Sequence, residues 1–389
     1  MRPRTSTDLQ LGRGAYMRVA FVSPGTPAAS RYETGDILGI ESQIWGIATN
    51  LSSRGHDIEI VRRSSHGAIT HHASGVTIND MKAPGLLLDT FAMCAFSRIC
   101  AKHIEADSRT VAVLSERLTS LSFGGLRNPT VFTLHLSDAL LRMGREDSLK
   151  GAVSRIPKKV LESRALRSAD LAVVLTPRAQ SILAQIGIRS VVIPNAVNLE
   201  DMRPGAPSPF FLYAGRLVRS KGIEYLLQAA KLASGPCPEL RVRIVGSGPD
   251  EVRLKKLAAS LGLVGTVSFQ PFANRQEYLR VLGSCAAFVS PSVQEAFPVS
   301  VIEAMASERP VIVADVMGAN EIVENGKDGI VVPPGDAGEL ASAMQRLASE
   351  PEVGEEMGKR GREKVALLYT FSRTASAYER VCEGLVTRA

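Results

Sequence analysis

Aromatic residues are scarce, 5% of 389 positions with a single tryptophan. Single-stranded nucleic acid is gripped by stacked aromatic faces, so that class of function is disfavoured. No run of 18 apolar residues occurs, and the nearest approach, "APGLLLDTFAMCAFSRIC" (83–100), is broken by Asp89 and Arg98. A membrane-crossing helix is therefore not expected. Five cysteines, Cys94, Cys100, Cys237, Cys285 and Cys382, are scattered, odd in number and never spaced C-x-x-C. Neither a disulfide framework nor a zinc site is supported, and a reduced, cytoplasmic interior fits best. A complete G-x-G-x-x-G is also missing; "GSGP" (246–249) leaves only a weak dinucleotide signal.

What remains is an ordinary globular composition, 45% hydrophobic and 22% charged, long enough for two or three domains. The net charge of +7 is uneven. Residues 17–198 hold 21 Lys and Arg against 15 Asp and Glu, whereas residues 199–389 hold 22 against 23. A basic front half suits an anionic partner such as a membrane surface or an acidic substrate, or is simply an Arg-rich solvated face. The first 16 residues, "MRPRTSTDLQLGRGAY", lack an apolar signal core and read as a disordered extension, with order starting at Met17.

Short β-branched runs alternate with helical patterns, which predicts parallel strands with helices on both faces. The front series is "RVAFVS" (18–23), "DIEIVRR" (57–63), "TVAVLS" (110–115), "PTVFTLH" (129–135), "LAVVLT" (171–176) and "SVVIPN" (190–195). A second series is "PFFLYAG" (209–215), "LRVRIVG" (240–246), "TVSFQP" (266–271), "AAFVSP" (286–291), "PVIVAD" (310–315) and "GIVVPP" (329–334). Helical stretches include 39–54 and 83–106, and "NLEDMRPGAPSP" (198–209) has the composition of a linker. Two Rossmann-like α/β/α domains are expected, 17–198 and 199–370, followed by a terminal helix over 371–389. Ligands of such sheets bind beyond the carboxyl ends of the strands.

Two motifs lie at such ends. In "YAGRLVRSKG" (213–222), a strand stops at Gly215 and Arg216 and Lys221 follow just ahead of a helix. Glycine turn, cations and helix N-terminus together suit a diphosphate, although two solvated loop cations would look the same. In "AAFVSPSVQEAFPVSVIEAMA" (286–306), Glu295 falls in the loop, Pro298 in the first helical turn and Glu303 inside the helix. A carboxylate suits vicinal sugar hydroxyls, and the amides near Val299 and Ser300 suit a phosphate. The plainer alternative makes Glu295 a cap and Glu303 a surface residue.

The E-x7-E frame, the "GRL…KG" turn and "GANEIVENGKDGIVVPPGD" (318–336) resemble group 1 glycosyltransferases, the family 4 retaining enzymes of GT-B fold. "GIESQIWGIATNLSSRGHDIEIV" (39–61), "TLH" (133–135) and "VIPNAVN" (192–198) agree more loosely, so the resemblance spans about residues 17–385. It implies that Gly215, Arg216 and Lys221 hold the donor diphosphate and that Glu303 takes the ribose hydroxyls. Glu295 would contact the transferred sugar, Phe297, Pro298 and Val299 would offer backbone contacts, and Gly39 would let the chain approach the phosphates. His135 would face the anomeric carbon across the cleft. His135, Glu295, Arg216 and Lys221 are thus the implied catalytic set, and the "GSGP" loop would line the base. Departures are Leu38 before Gly39, Ala196 after Asn195, Pro298, and Asn320, where the family usually has glycine, glycine, glycine and proline.

The chemistry is coherent with that resemblance. Glycosyl transfer builds negative charge on the departing diphosphate, which fixed cations stabilise in a water-poor cleft. No D-x-D occurs, so a metal clamp is unsupported and no cofactor is expected beside a UDP- or GDP-linked donor. No carboxylate nucleophile is evident for double displacement, which fits a front-face course. A saccharide or lipid-linked acceptor would bind the front domain. Competing readings are a nucleotide-sugar epimerase and a non-catalytic binding protein.

Other features carry less. His66, His71 and His72 in "HGAITHHASG" read as a flexible loop rather than a metal site, and His56 and His103 as structural. Residues 139–168 suit either a cover helix or an amphipathic helix on an anionic membrane, the latter placing the enzyme at the inner face. The terminal helix would cross back onto the first domain.

Overall fold

A computed structural model describes residues 16–23, 39–64, 69–82, 89–107, 110–114, 127–134 and 166–387. Of the sequence-based expectations, His135, Leu38, His66, the 1–15 stretch and 139–165 lie outside the described residues. No described helix is long and apolar enough to cross a membrane.

The first sheet contains β1 (Arg18–Ser23), β2 (Asp57–Ser64), β3 (Ile69–Ala73), β4 (Val76–Lys82), β5 (Thr110–Leu114), β6 (Thr130–Leu134), β7 (Leu171–Val174) and β8 (Ser190–Val192). Their order is β3-β4-β2-β1-β5-β6-β7-β8, parallel throughout except for the antiparallel β3/β4 pair. That hairpin corrects the loop expected at His71 and His72. Thr70, His71 and His72 pair with Asn79, Ile78 and Thr77 around a Ser74–Gly75 turn. Its helices are α1 (Ile40–Ser53), α2 (Asp89–Glu105) and α3 (Pro177–Gln185). In α1, Gln43, Ile44, Ile47, Ala48 and Leu51 are buried at helical spacing, giving it one core face.

The second sheet contains β9 (Phe210–Ala214), β10 (Arg241–Val245), β11 (Val267–Gln270), β12 (Ala287–Ser290), β13 (Val311–Ala314) and β14 (Ile330–Val332), in the order β11-β10-β9-β12-β13-β14 and parallel throughout. Its helices are α4 (Ile223–Ala233), α5 (Glu251–Ser260), α6 (Arg275–Ser284), α7 (Val299–Ala306), α8 (Ala319–Ile322), α9 (Ala337–Ser349) and α10 (Pro351–Leu368). Leu226, Ala230, Leu254 and Met344 from α4, α5 and α9 cover one face, and Tyr278, Leu282, Val301, Met305 and Val365 from α6, α7 and α10 cover the other. The strand order reverses between β9 and β12, which opens a crevice at their carboxyl ends.

The last helix, α11 (Phe371–Val386), leaves the second sheet and packs on α1 of the first. Ala375, Tyr378, Cys382 and Leu385 share a core with Val19, Phe21, Ile44 and Val113. Arg54 of the first half donates to Ser376 and Glu379, and His56 lies 2.8 Å from Glu379. Where the chain crosses between halves, the Val197 N–H donates to the Tyr369 carbonyl at 2.9 Å. The Gln43 side chain brackets Ala196 beside it, donating to its carbonyl at 3.0 Å and accepting from its N–H at 2.8 Å.

Candidate active site

Both motifs read from the sequence end at the reversal point, one after β9 and the other after β12. Arg219–Lys221 form a short 3-10 turn, and the Val293 and Gln294 amides donate to the Ser220 carbonyl at 3.0 and 3.2 Å. Backbone thus ties the cationic turn to the loop that carries Glu295. Two positive-φ glycines hold that loop from either side. A Cβ on Gly222 (φ 63°) would stand 2.1 Å from the Pro291 carbonyl oxygen, and one on Gly318 (φ 87°) 2.1 Å from that of Ala296. No L side chain fits either place.

On this scaffold the Lys221 ammonium pairs directly with the Glu295 carboxylate. The other Glu295 oxygen accepts from the Ala296 N–H at 3.1 Å. Arg216 is exposed and has no carboxylate partner among the described residues. Its carbonyl accepts from the Tyr213 hydroxyl at 2.9 Å, and burial, followed by the Glu295 charge, pushes the Tyr213 phenol up. One cation is therefore paired and one is available.

Pro298 sits at the N-cap of α7, one position before the first turn expected for it. No side chain caps this helix among the described residues, so the Val299 and Ser300 amides are left without an acceptor at the positive end of the helix. Phe297 lies edge-on to Tyr369, with ring centroids 5.9 Å apart, and is buried. Gly39 precedes α1 with open space where a Cβ would stand. Gly246 and Gly248 of the "GSGP" loop press on the backbone of Gly215 and Leu217, which welds the β9 and β10 loop ends together.

Glu303 is not the surface residue of the plainer alternative; it is 6% exposed. Nor does it share the partners of Glu295. Oε1 accepts from Arg275 at 3.0 Å and Oε2 from the Tyr278 hydroxyl at 2.7 Å. Burial disfavours the Arg275 charge, but the adjacent Glu303 outweighs it and leaves the guanidinium above its ordinary value. Burial and then Glu303 raise the Tyr278 phenol. Arg275 and Glu303 line a cavity of about 490 Å³ shared with Ser42 and Gln43 of α1 and Asp201 of the linker. Arg275 and Tyr278 were missed in the sequence. The available signal was their position, opening a helix just after β11 behind the Asn274 cap.

The profile of glycosyl transferases group 1 matches residues 200–364, and that of glycosyltransferase family 4 matches residues 37–201. The sucrose-phosphate synthase structure from Thermosynechococcus elongatus superimposes with a TM-score of 0.83 at 23% identity, over 96% of this chain and 100% of that one. The chain is a group 1, family 4 glycosyltransferase of GT-B fold.

Two curated relatives are similar to this glycosyltransferase. The D-inositol 3-phosphate glycosyltransferase of Streptomyces scabiei is 27% identical over 92% of this chain and 88% of its own length. The alpha-D-kanosaminyltransferase of Streptomyces kanamyceticus is 33% identical, and that match spans 42% of each chain. The resemblance read from the E-x7-E frame is thus met at the level of family and fold.

Proposed function

We propose that the enzyme moves a sugar, with retention and without a metal, from a UDP- or GDP-linked donor to a hydroxyl of a saccharide or lipid-linked acceptor. Envelope or exopolysaccharide assembly at the inner face of the membrane is the setting that fits the basic front half.

The observation that carries the reading is the pairing of Lys221 with Glu295 beside the uncapped start of α7, with Arg216 lacking a carboxylate partner among the described residues. A diphosphate brought to this point meets an available guanidinium, helix amides and an ammonium already fixed in place. As the glycosidic bond breaks, charge gathers on the diphosphate and these groups stabilise it without reorganising. Glu295, held by Lys221 and the Ala296 amide, orients the sugar hydroxyls. Because the ammonium withdraws charge from that carboxylate and Glu303 is held twice, neither is a ready nucleophile, which supports a front-face course. Glu303 takes the ribose through lone pairs left by Arg275 and Tyr278. The family resemblance assigns to His135, next in sequence after β6, the role beside the anomeric carbon.

Calorimetric titration with UDP, GDP and ADP and then their sugars, with and without EDTA, tests this. Selective binding that survives EDTA and is lost in Arg216→Ala is expected. Binding that requires a divalent cation, or none to wild type, would overturn it.

A further inference from the structure

The first turn of α3 has one amide that its own half does not satisfy. Thr176 caps the helix, accepting the Ala179 N–H on its hydroxyl at 3.2 Å and the Gln180 N–H on its carbonyl at 3.1 Å. Pro177 has no N–H to place. The Arg178 N–H donates instead to Glu321 Oε1, at 2.8 Å, and Glu321 belongs to α8 in the other half of the molecule. The second oxygen, Oε2, accepts from the Gly318 N–H at 3.3 Å. A carboxylate at a helix N-terminus is favoured both by the hydrogen bond and by the helix dipole.

Glu321 is anchored to the loop that carries the sugar contacts. Ile322 is buried in the core that also holds Phe297 and Val301. Gly318 touches the Ala296 backbone. Any change in spacing between the halves at this edge must therefore either break the Arg178–Glu321 bond or move Ala296 and Phe297. A cavity of about 410 Å³, lined by Thr176, Pro177, Phe297, Glu321, Tyr369 and Arg373, adjoins the bond. Leu175, just before the Thr176 cap, is buried in the same core as Phe297 and Tyr369, so apolar packing and the Arg178–Glu321 bond hold this edge together.

We propose that Glu321 is a positioning residue that latches the start of α3 to the Ala296–Phe297 loop and so sets the domain spacing at which sugar transfer occurs. The inference rests on the donor assignment above for its purpose, but the contact is read without ligand.

Hydrogen exchange of residues 178–183 and the small-angle scattering radius are measured for wild type, Glu321→Ala, Glu321→Gln and Glu321→Asp, alongside UDP and GDP titrations. Loss of a charge-assisted bond to Arg178 speeds exchange in Glu321→Ala about tenfold. The radius rises in the same variant, while nucleotide affinity stays within about twofold because Glu321 bonds to Arg178 and Gly318 and to none of the donor groups. Glu321→Gln keeps an acceptor oxygen and restores most of the protection. Glu321→Asp keeps the charge, shortens the reach and behaves like Ala, which preserves the test should the alanine variant not fold. Unchanged exchange and radius in both Ala and Asp variants would overturn the latch, as would a Gln variant indistinguishable from Ala. If neither nucleotide binds wild type, the donor assignment fails by itself and the exchange data still judge the latch.

Discussion

Glu295 and Glu303 stand eight positions apart in one motif, yet they are held in opposite ways. Glu295 is in a loop, paired with a lysine that is itself 27% exposed. Glu303 is within a helix, locked by an arginine and a buried phenol. In the first pair water reaches the lysine although Glu295 is buried, so Lys221 can meet an arriving anion without leaving its carboxylate. The second pair stays closed, because separating it strands a charge in a poorly solvated place. One carboxylate is suited to a group that comes and goes in each turnover, the other to a fixed contact that every bound donor must satisfy.

Substitutions at these residues and their partners test the contrast. The largest effect is expected from Glu303→Ala, which leaves the half-buried Arg275 without its counter-charge. A loss of about 3–5 kcal/mol, read by thermal or denaturant unfolding, would accompany weakened donor binding. Glu295→Ala should cost far less in unfolding, and equal losses would erase the distinction. Next in size, Arg216→Ala should weaken nucleoside diphosphate binding roughly tenfold to hundredfold with the melting temperature unchanged. Tyr278→Phe removes one hydrogen bond to Glu303 and should cost about 1 kcal/mol in stability, a value that Glu295→Gln should not reach. Glu295→Gln should instead leave bare-nucleotide affinity nearly intact and lower turnover of the nucleotide sugar.

The smallest effect lies outside the motif, at His103, whose Nε2 is 2.9 Å from the buried Glu59. The Glu59 hydrogen bond raises the imidazole above 6.5 in spite of burial. Its stabilising contribution is therefore complete below pH 6.5 and is lost as pH rises through the raised value. The melting-temperature difference between wild type and His103→Gln should shrink over that rise; a constant difference would mean that the histidine does not titrate there.

Legibility in the sequence followed burial. Strands such as Val111–Leu114 and Val131–Leu134 are buried along their length, so their apolar runs announced themselves. The β3 edge strand, "ITHHA", is largely exposed, and its two histidines looked like loop composition. Its signal was the turn at Ser74–Gly75 rather than its own residues. At the site, the local motifs supplied Arg216, Lys221, Glu295 and Glu303. Arg275 and Tyr278 reach Glu303 only through the packing of α6 against α7, and Glu321 meets Arg178 across 143 positions. Partners set by tertiary packing leave no local pattern to read.

The return of α11 onto the first sheet also has a consequence in time. Tyr378 and Leu385 complete the core around Phe21 and Ile44, yet they leave the ribosome more than 300 residues later. The front half therefore emerges with one side of its core uncovered, and must wait for α11 to be made before it closes. Of the two halves, the one made first is the one finished last.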